Sequence, residues 1–311
     1  SAQSVSRLDP DSSSERKAWT TMNLRDQARS IYEGDDGTLW IGGWSSLYAY
    51  RHGSWTVYSP LAVPTNLGRV RNLLQSSEGA LWLDGDGATA RLDYRTPRWT
   101  TYKGLKYEAE TPDGSHWFVS ADSGVVRASE EGWVRYGAED GLMDFPVRLL
   151  ATRAGKLWAF GSHGRDERDG RAAATSLFAG SKWSTQTHPP LLQMYSAVFE
   201  ATDGAVWAAG REDRNKLRSV LKFDGGRWTQ YSEVIGVAYA GGEDANGTIW
   251  FGGVGGITKS GKTYSSVSAF DGKTWRVVKE PEELGIVGAM HTGRNGDLWI
   301  GVRHRGLLRF D

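Results

Sequence analysis

The sequence predicts an all-β fold, a seven-bladed β-propeller of four-stranded blades, and three observations predict it. A short element built on glycine and tryptophan recurs seven times along the 311 residues. A second element, with its own tryptophan, follows each of the first six copies. The copy left unfinished at the C-terminus finds its missing piece near the N-terminus. Self-similarity at a fixed period marks a repeat architecture before any local structure is assigned.

The first element reads DGTLWI, EGALWL, DGSHWF, AGKLWA, DGAVWA, NGTIWF and NGDLWI, with tryptophan at 40, 82, 117, 158, 207, 250 and 299. Glycine stands three residues before each. The interval runs from 35 residues (Trp82 to Trp117) to 49 (Trp158 to Trp207). That is the length of one blade of four short strands, and no segment sustains a helical period. Within a copy, a strand such as 28–33 leads into a tight turn where glycine supplies a positive φ. A second strand starts near the marker tryptophan, LYAYR is the third, and WTVYS the fourth. The fourth strands carry the second element, GSWTVY, PRWTTY, EGWVRY, SKWSTQ, GRWTQY and KTWRVV, with tryptophan at 55, 99, 133, 183, 228 and 275. Tryptophan at fixed blade positions packs between neighbouring twisted sheets.

After NGDLWIGVRHRGLLRFD the chain ends without a fourth strand, whereas KAWTTMN at 17–23 matches the fourth-strand pattern. The expectation is ring closure, with the N-terminal strand at Trp19 completing the last blade and removing two open sheet edges. The propeller then covers 17–311, and 1–16, SAQSVSRLDPDSSSER, is read as a disordered lead or linker.

Composition bounds the function. Lys+Arg 37 against Asp+Glu 37 leaves no net charge, which argues against a nucleic-acid partner. The absence of cysteine excludes disulfides, a thiol nucleophile and a zinc–thiolate site. No apolar run reaches membrane-spanning length.

The stretches DGTLWIGG…SLYAYRHGSWTVYS and AEDGLMDFPVRLLATRAGKLW resemble the two-component regulator propeller repeat, over nearly the whole of 17–311. The resemblance implies an extracytoplasmic sensor propeller of bacterial signalling proteins, periplasmic or secreted. A weaker likeness runs to streptogramin lyase-type propellers, but WIGG, WLDG, WFVS, WAFG, WAAG, WFGG and WIGV lack the glutamate expected after the tryptophan. A fold likeness does not by itself give a function.

Three features fall on the face where propellers usually meet ligands. The second-to-third-strand loops of the fourth to sixth blades are long: GSHGRDERDGRAAATS, GREDRNKLRS and GVGGITKSGKTYSS form a basic arc or a self-paired solvated one. The starts of the first strands should ring the channel mouth. Arg29, Arg71 and Lys106 stand eleven residues before their marker tryptophans, Arg148 is one place off, and Tyr195, Tyr239 and His291 follow in later blades. Such a half-ring of cations suits an anionic sugar or another carboxylate, since arginine bonds carboxylates in bidentate fashion. The competing reading pairs these cations with Glu33, Glu110, Glu200 and Glu243. Finally, Trp44 is the one tryptophan of 15 that the repeat does not demand. It stands either for stacking on a ligand or for covering a loop.

Metal and catalytic signatures are absent. The six histidines show no metal-ligand spacing, and His116 reads as a packed histidine. LDGDG at 83–87 carries only part of a calcium-loop ligand series. No nucleophile elbow, phosphate loop or dinucleotide fingerprint occurs. The expectation is therefore a noncatalytic binding module with no cofactor and a small-molecule or glycan ligand at Arg29, Trp44, Arg71, Lys106, Arg148, Tyr195, Tyr239 and His291. The alternatives are a polysaccharide or lactone lyase using the channel mouth, and a scaffold for a protein partner.

Overall fold

The computed structural model describes residues 3–8, 19–24, 29–44, 46–58, 67–93, 96, 98–164, 171–189, 191, 193–211, 217–231, 237–257, 263–277, 286–293, 298–302 and 306–310, the strands 3–8, 19–24 and 306–310 and some strand ends by backbone alone. Six four-stranded antiparallel sheets follow one another: sheet 1 (30–58), sheet 2 (72–103), sheet 3 (105–136), sheet 4 (145–187), sheet 5 (193–231) and sheet 6 (237–277). A seventh sheet, 287–310, has three strands. Each sheet is a simple meander, because hairpin turns join consecutive strands. Among the described residues no helix is long and apolar enough to cross a membrane.

The glycine of the first element does what its turn requires. Gly37, Gly79, Gly114, Gly155, Gly204 and Gly247 all sit at φ between 75° and 86°, a region closed to most side chains. Three residues on, Trp40, Trp82, Trp117, Trp158, Trp207 and Trp250 are buried. The second set divides. Trp183 is buried, but Trp133 is 57% exposed, contrary to the expectation that all fourth-strand tryptophans pack away. Its ring lies on Phe118, at 5.7 Å, and beside Tyr102 of sheet 2, at 6.0 Å, on the fourth strand of sheet 3.

Seven apolar clusters hold the sheets together, one at each junction. Trp40 and Leu47 of sheet 1 meet Leu73 and Leu83 of sheet 2, and the pattern repeats around the fold. The seventh cluster joins Ile31, Ile41 and Tyr48 of sheet 1 to Ala289 and Trp299 of sheet 7. First strands therefore line the inside and fourth strands the outside.

A polar latch accompanies the apolar packing. The residue ending a first strand reaches the turn of the preceding sheet. Gln75 Oε1 accepts the Asp35 N–H at 2.7 Å, Glu110 the Ser77 N–H at 2.6 Å, Glu200 the Arg153 N–H at 2.8 Å, and Glu243 the Thr202 N–H at 2.5 Å. This is where three of the acids proposed as partners for the channel cations are engaged. The fourth, Glu33, donates its backbone N–H to His291 Nε2 at 3.3 Å.

The N-terminal segment departs from expectation. Gln3–Leu8, inside the stretch read as a disordered lead, is a strand, and it pairs antiparallel with Trp19–Leu24, Leu8 opposite Trp19. It is Gln3–Leu8 that lies against Gly306–Phe310. The reading from the tryptophan pattern had placed the Trp19 strand there.

Candidate functional site

On the inside of the ring, the first strands begin at one end of a cavity of about 380 Å³. Sheets 1, 2, 4, 5, 6 and 7 all contribute. Arg29, Arg69, Arg71 and Arg148 line it, together with Asn72, Ser30 and the exposed Tyr239. Small apolar residues from the later sheets, Ala197, Ala240 and Ala289 among them, complete the wall. No acidic residue is among the described lining residues.

Three of the four arginines are held by carboxylates that do not line the cavity. Asp86 accepts from Arg69 Nε and from Arg71 Nε, both at 2.7 Å. Arg69 and Arg71 stand two residues apart just before the first strand of sheet 2, and both reach this one carboxylate. The hydrogen bond from Arg69, with further bonds and charge from Arg71, holds the Asp86 carboxyl down at about 2. Asp86 belongs to the LDGDG stretch, and both its oxygens accept hydrogen bonds from arginine. Among the described residues no group of acids and histidines could hold a metal ion.

The second anchor is Glu108, whose side chain is wholly buried. Arg148 Nη1 donates to its Oε1 at 3.2 Å, the Leu149 N–H to its Oε2 at 3.3 Å, and Lys106 Nζ lies 2.5 Å from Oε1. Asp84, also buried, belongs to this cluster. Its pKa is pushed up to about 7, first by burial, with Lys106 opposing, Glu108 adding and Arg148 opposing.

Trp44 follows the second strand of sheet 1 and is 48% exposed. Two guanidiniums flank it. Arg29 Cζ is 4.4 Å from the ring centroid and Arg69 Cζ is 5.0 Å away. Both arginines line the cavity, so the indole stands beside a cationic mouth. Stacked guanidiniums keep their hydrogen-bonding edges for another partner, at a gain of about 0.5–2 kcal/mol per contact.

Of the residues expected at the mouth, Arg29, Arg71, Arg148 and Tyr239 meet at one cavity, with Trp44 beside them. Lys106 does not. It lines a separate cavity of about 320 Å³ beside sheet 3, because Glu108 and the Val147 carbonyl, at 3.4 Å, draw it away. His291 sits at the junction of sheets 7 and 1, with Tyr32 at 5.5 Å, and burial holds its pKa down while Glu33 pushes it the other way. Tyr195 lies in the strand Gln193–Glu200, and its side chain is outside the described residues, as are the middles of the three long loops. His116 is half-buried against Trp82, with Nδ1 3.4 Å from Tyr107 Oη.

Sequence reasoning missed Arg69, Asp86, Glu108 and Asp84. The RVR alternation at 69–71 was a signal for the first. Asp84 and Asp86 stood in the LDGDG stretch, read only as part of a calcium-loop series, and Glu108 carried no signal.

No family model matches the sequence, and no curated protein matches it. Among solved structures, the chain is similar to a streptogramin B lyase, at 16% identity over 92% of this chain and 94% of that one, with a TM-score of 0.68. It is similar to the virginiamycin B lyase of Staphylococcus aureus, in a catalytically inactive form with quinupristin, at 13% identity over 99% of both chains and a TM-score of 0.68. It is also similar to the extracellular domain of a protein described as a hybrid two-component system of B. thetaiotaomicron, at 12% identity and a TM-score of 0.69. That match covers 99% of this chain and 39% of the other. Likeness at these identities establishes that the chain has the β-propeller fold.

Proposed function

We propose that this chain is a noncatalytic ligand-binding propeller of the sensor type, and that its ligand is a small anionic molecule, an acidic sugar or another carboxylate, held at the channel mouth. The observation that carries the reading is the cavity wall: four arginines and no described acid. Arginine held in place by a carboxylate behind it presents its free N–H groups forward, which is what recognition of an anion requires. The sensor neighbour supports this reading through its fold, and an extracytoplasmic location goes with it. The reading takes the chain as a seven-bladed ring closed at sheet 7 by the N-terminal strand Gln3–Leu8, which lies against Gly306–Phe310.

The lyase alternative needs a base at the reacting centre. The described lining holds no carboxylate, histidine or lysine, so the exposed Tyr239 is the group in it that this alternative would have to use. Calorimetry against a panel of acidic oligosaccharides tests the proposal. Wild type should bind at least one, and Arg71→Ala should bind it at least tenfold more weakly. Ultraviolet absorbance growing in a uronic-acid polymer incubated with the protein would overturn the noncatalytic reading. Silence across the panel would favour the protein-binding scaffold.

A further inference from the structure

Asp84 ends the second strand of sheet 2, opposite Asn72, and its carbonyl accepts the Arg71 N–H at 2.8 Å. Asn72 and Arg71 both line the mouth cavity. The Asp84 side chain is buried, at 4% exposure. Its Oδ1 accepts from Thr89 Oγ1 of the neighbouring strand at 3.3 Å, and its Oδ2 has no hydrogen-bond partner among the described residues. The charged groups around it are Lys106 and Glu108 from the first strand of sheet 3 and Arg148 from the first strand of sheet 4. Glu108 bonds both cations. Two buried carboxylates thus share the positive charge of one lysine and one arginine, and Arg148 is also part of the anion site.

An anion set against Arg148 draws on the same positive potential that keeps Asp84 ionised. Each negative group raises the other's affinity for a proton. We propose that the chain takes up a proton at Asp84, which lines the separate Lys106 cavity, when the channel mouth binds its anion, so that binding strengthens as the solution becomes more acidic through neutrality. This rests on the anion-binding reading above. The only covalent change is the O–H bond formed on the Asp84 carboxylate with a proton from solvent. The geometry places that proton on an oxygen that has no partner to lose, and burial keeps the group's pKa where such uptake is felt near neutral pH.

Calorimetry with sulfate and ethane-1,2-disulfonate tests the coupling, because neither anion changes charge near neutral pH. Wild type should bind about five- to tenfold more tightly at a pH of about 6 than at about 8.5, the lower end of the coupling typical between two sites. The measured heat should vary with the ionisation enthalpy of the buffer, reporting proton uptake. Asp84→Asn, the shape of the neutral acid, should bind equally at both pH values with no uptake. Should that variant fail to fold, the buffer dependence in wild type still decides. Binding without proton uptake overturns the coupling and leaves the anion site standing. Uptake that persists in Asp84→Asn assigns the proton elsewhere and overturns the role given to Asp84. No binding of either anion by wild type overturns the site itself, and the coupling with it.

Discussion

Pro112 and Ala151 stand at the one described turn-to-strand junction where both halves of the inter-sheet latch are missing. In sheet 2 the corresponding turn residue, Ser77, gives its N–H to Glu110 of sheet 3. In sheet 3 that residue is Pro112, which has no N–H to give. In sheet 4 the residue matching Glu110 is Ala151, which has no acceptor to offer. Donor and acceptor are lost together, so no buried group is left unsatisfied. Pro112 and Gly155 instead line a cavity of about 390 Å³ between the two turns.

The latch gives the first prediction. Glu110→Ala strips partners from both the backbone N–H and the hydroxyl of Ser77 and should cost about 1–2 kcal/mol in a urea melt. Ala151→Glu combined with Pro112→Ser installs the missing pair and should raise the midpoint. A double variant less stable than wild type would show that this junction cannot accept the geometry of the others.

The two tryptophan classes should respond differently. Trp207 is buried and packs on Phe251, Phe270 and Trp275, so Trp207→Ala should lose about 3–5 kcal/mol. Trp133→Ala, at an exposed outer strand, should lose about 1 kcal/mol or less. Equal losses in chemical denaturation would mean that the repeat position, and not burial, sets the contribution.

Acid sensitivity should trace in part to His188. The ring is buried, its Nε2 lies 2.9 Å from Thr175 Oγ1, and burial pushes its pKa down to about 4. An unfolded chain would bind a proton near pH 6.5, above the folded value. Stability from keeping this ring neutral is therefore complete above about pH 6.5 and is lost as the pH falls towards about 4. Melting temperatures of wild type and His188→Asn across that range should converge at the acid end. Parallel curves would rule this group out.

Ring closure separates two arrangements of the N-terminus. Deleting residues 1–16 removes Gln3–Leu8, the strand lying against Gly306–Phe310, and should lower the melting temperature nearly as much as deleting 1–23. If loss of 1–16 were harmless and loss of 1–23 were not, the Trp19 strand itself would be the closing element.

The repeat was legible because turn and core chemistry are local. Glycine at a positive φ followed by a buried tryptophan is dictated within a few residues, and a fixed period then carries sheet order and the inner position of every first strand. Arg29, Arg71, Arg148 and Tyr239 could be read as neighbours at the mouth for the same reason, and Trp44 could be singled out because the period left it over. Only the tertiary structure decided which charges met. Lys106 left the mouth for Glu108, Arg69 joined it through Asp86, and the acids at the strand ends turned to the neighbouring sheet. Those choices depend on distances between side chains from different sheets and on the cost of burying an unpaired charge. A one-dimensional pattern holds neither quantity, so the sequence determined the ring and its lining strands, and packing between the sheets determined the electrostatics of the site.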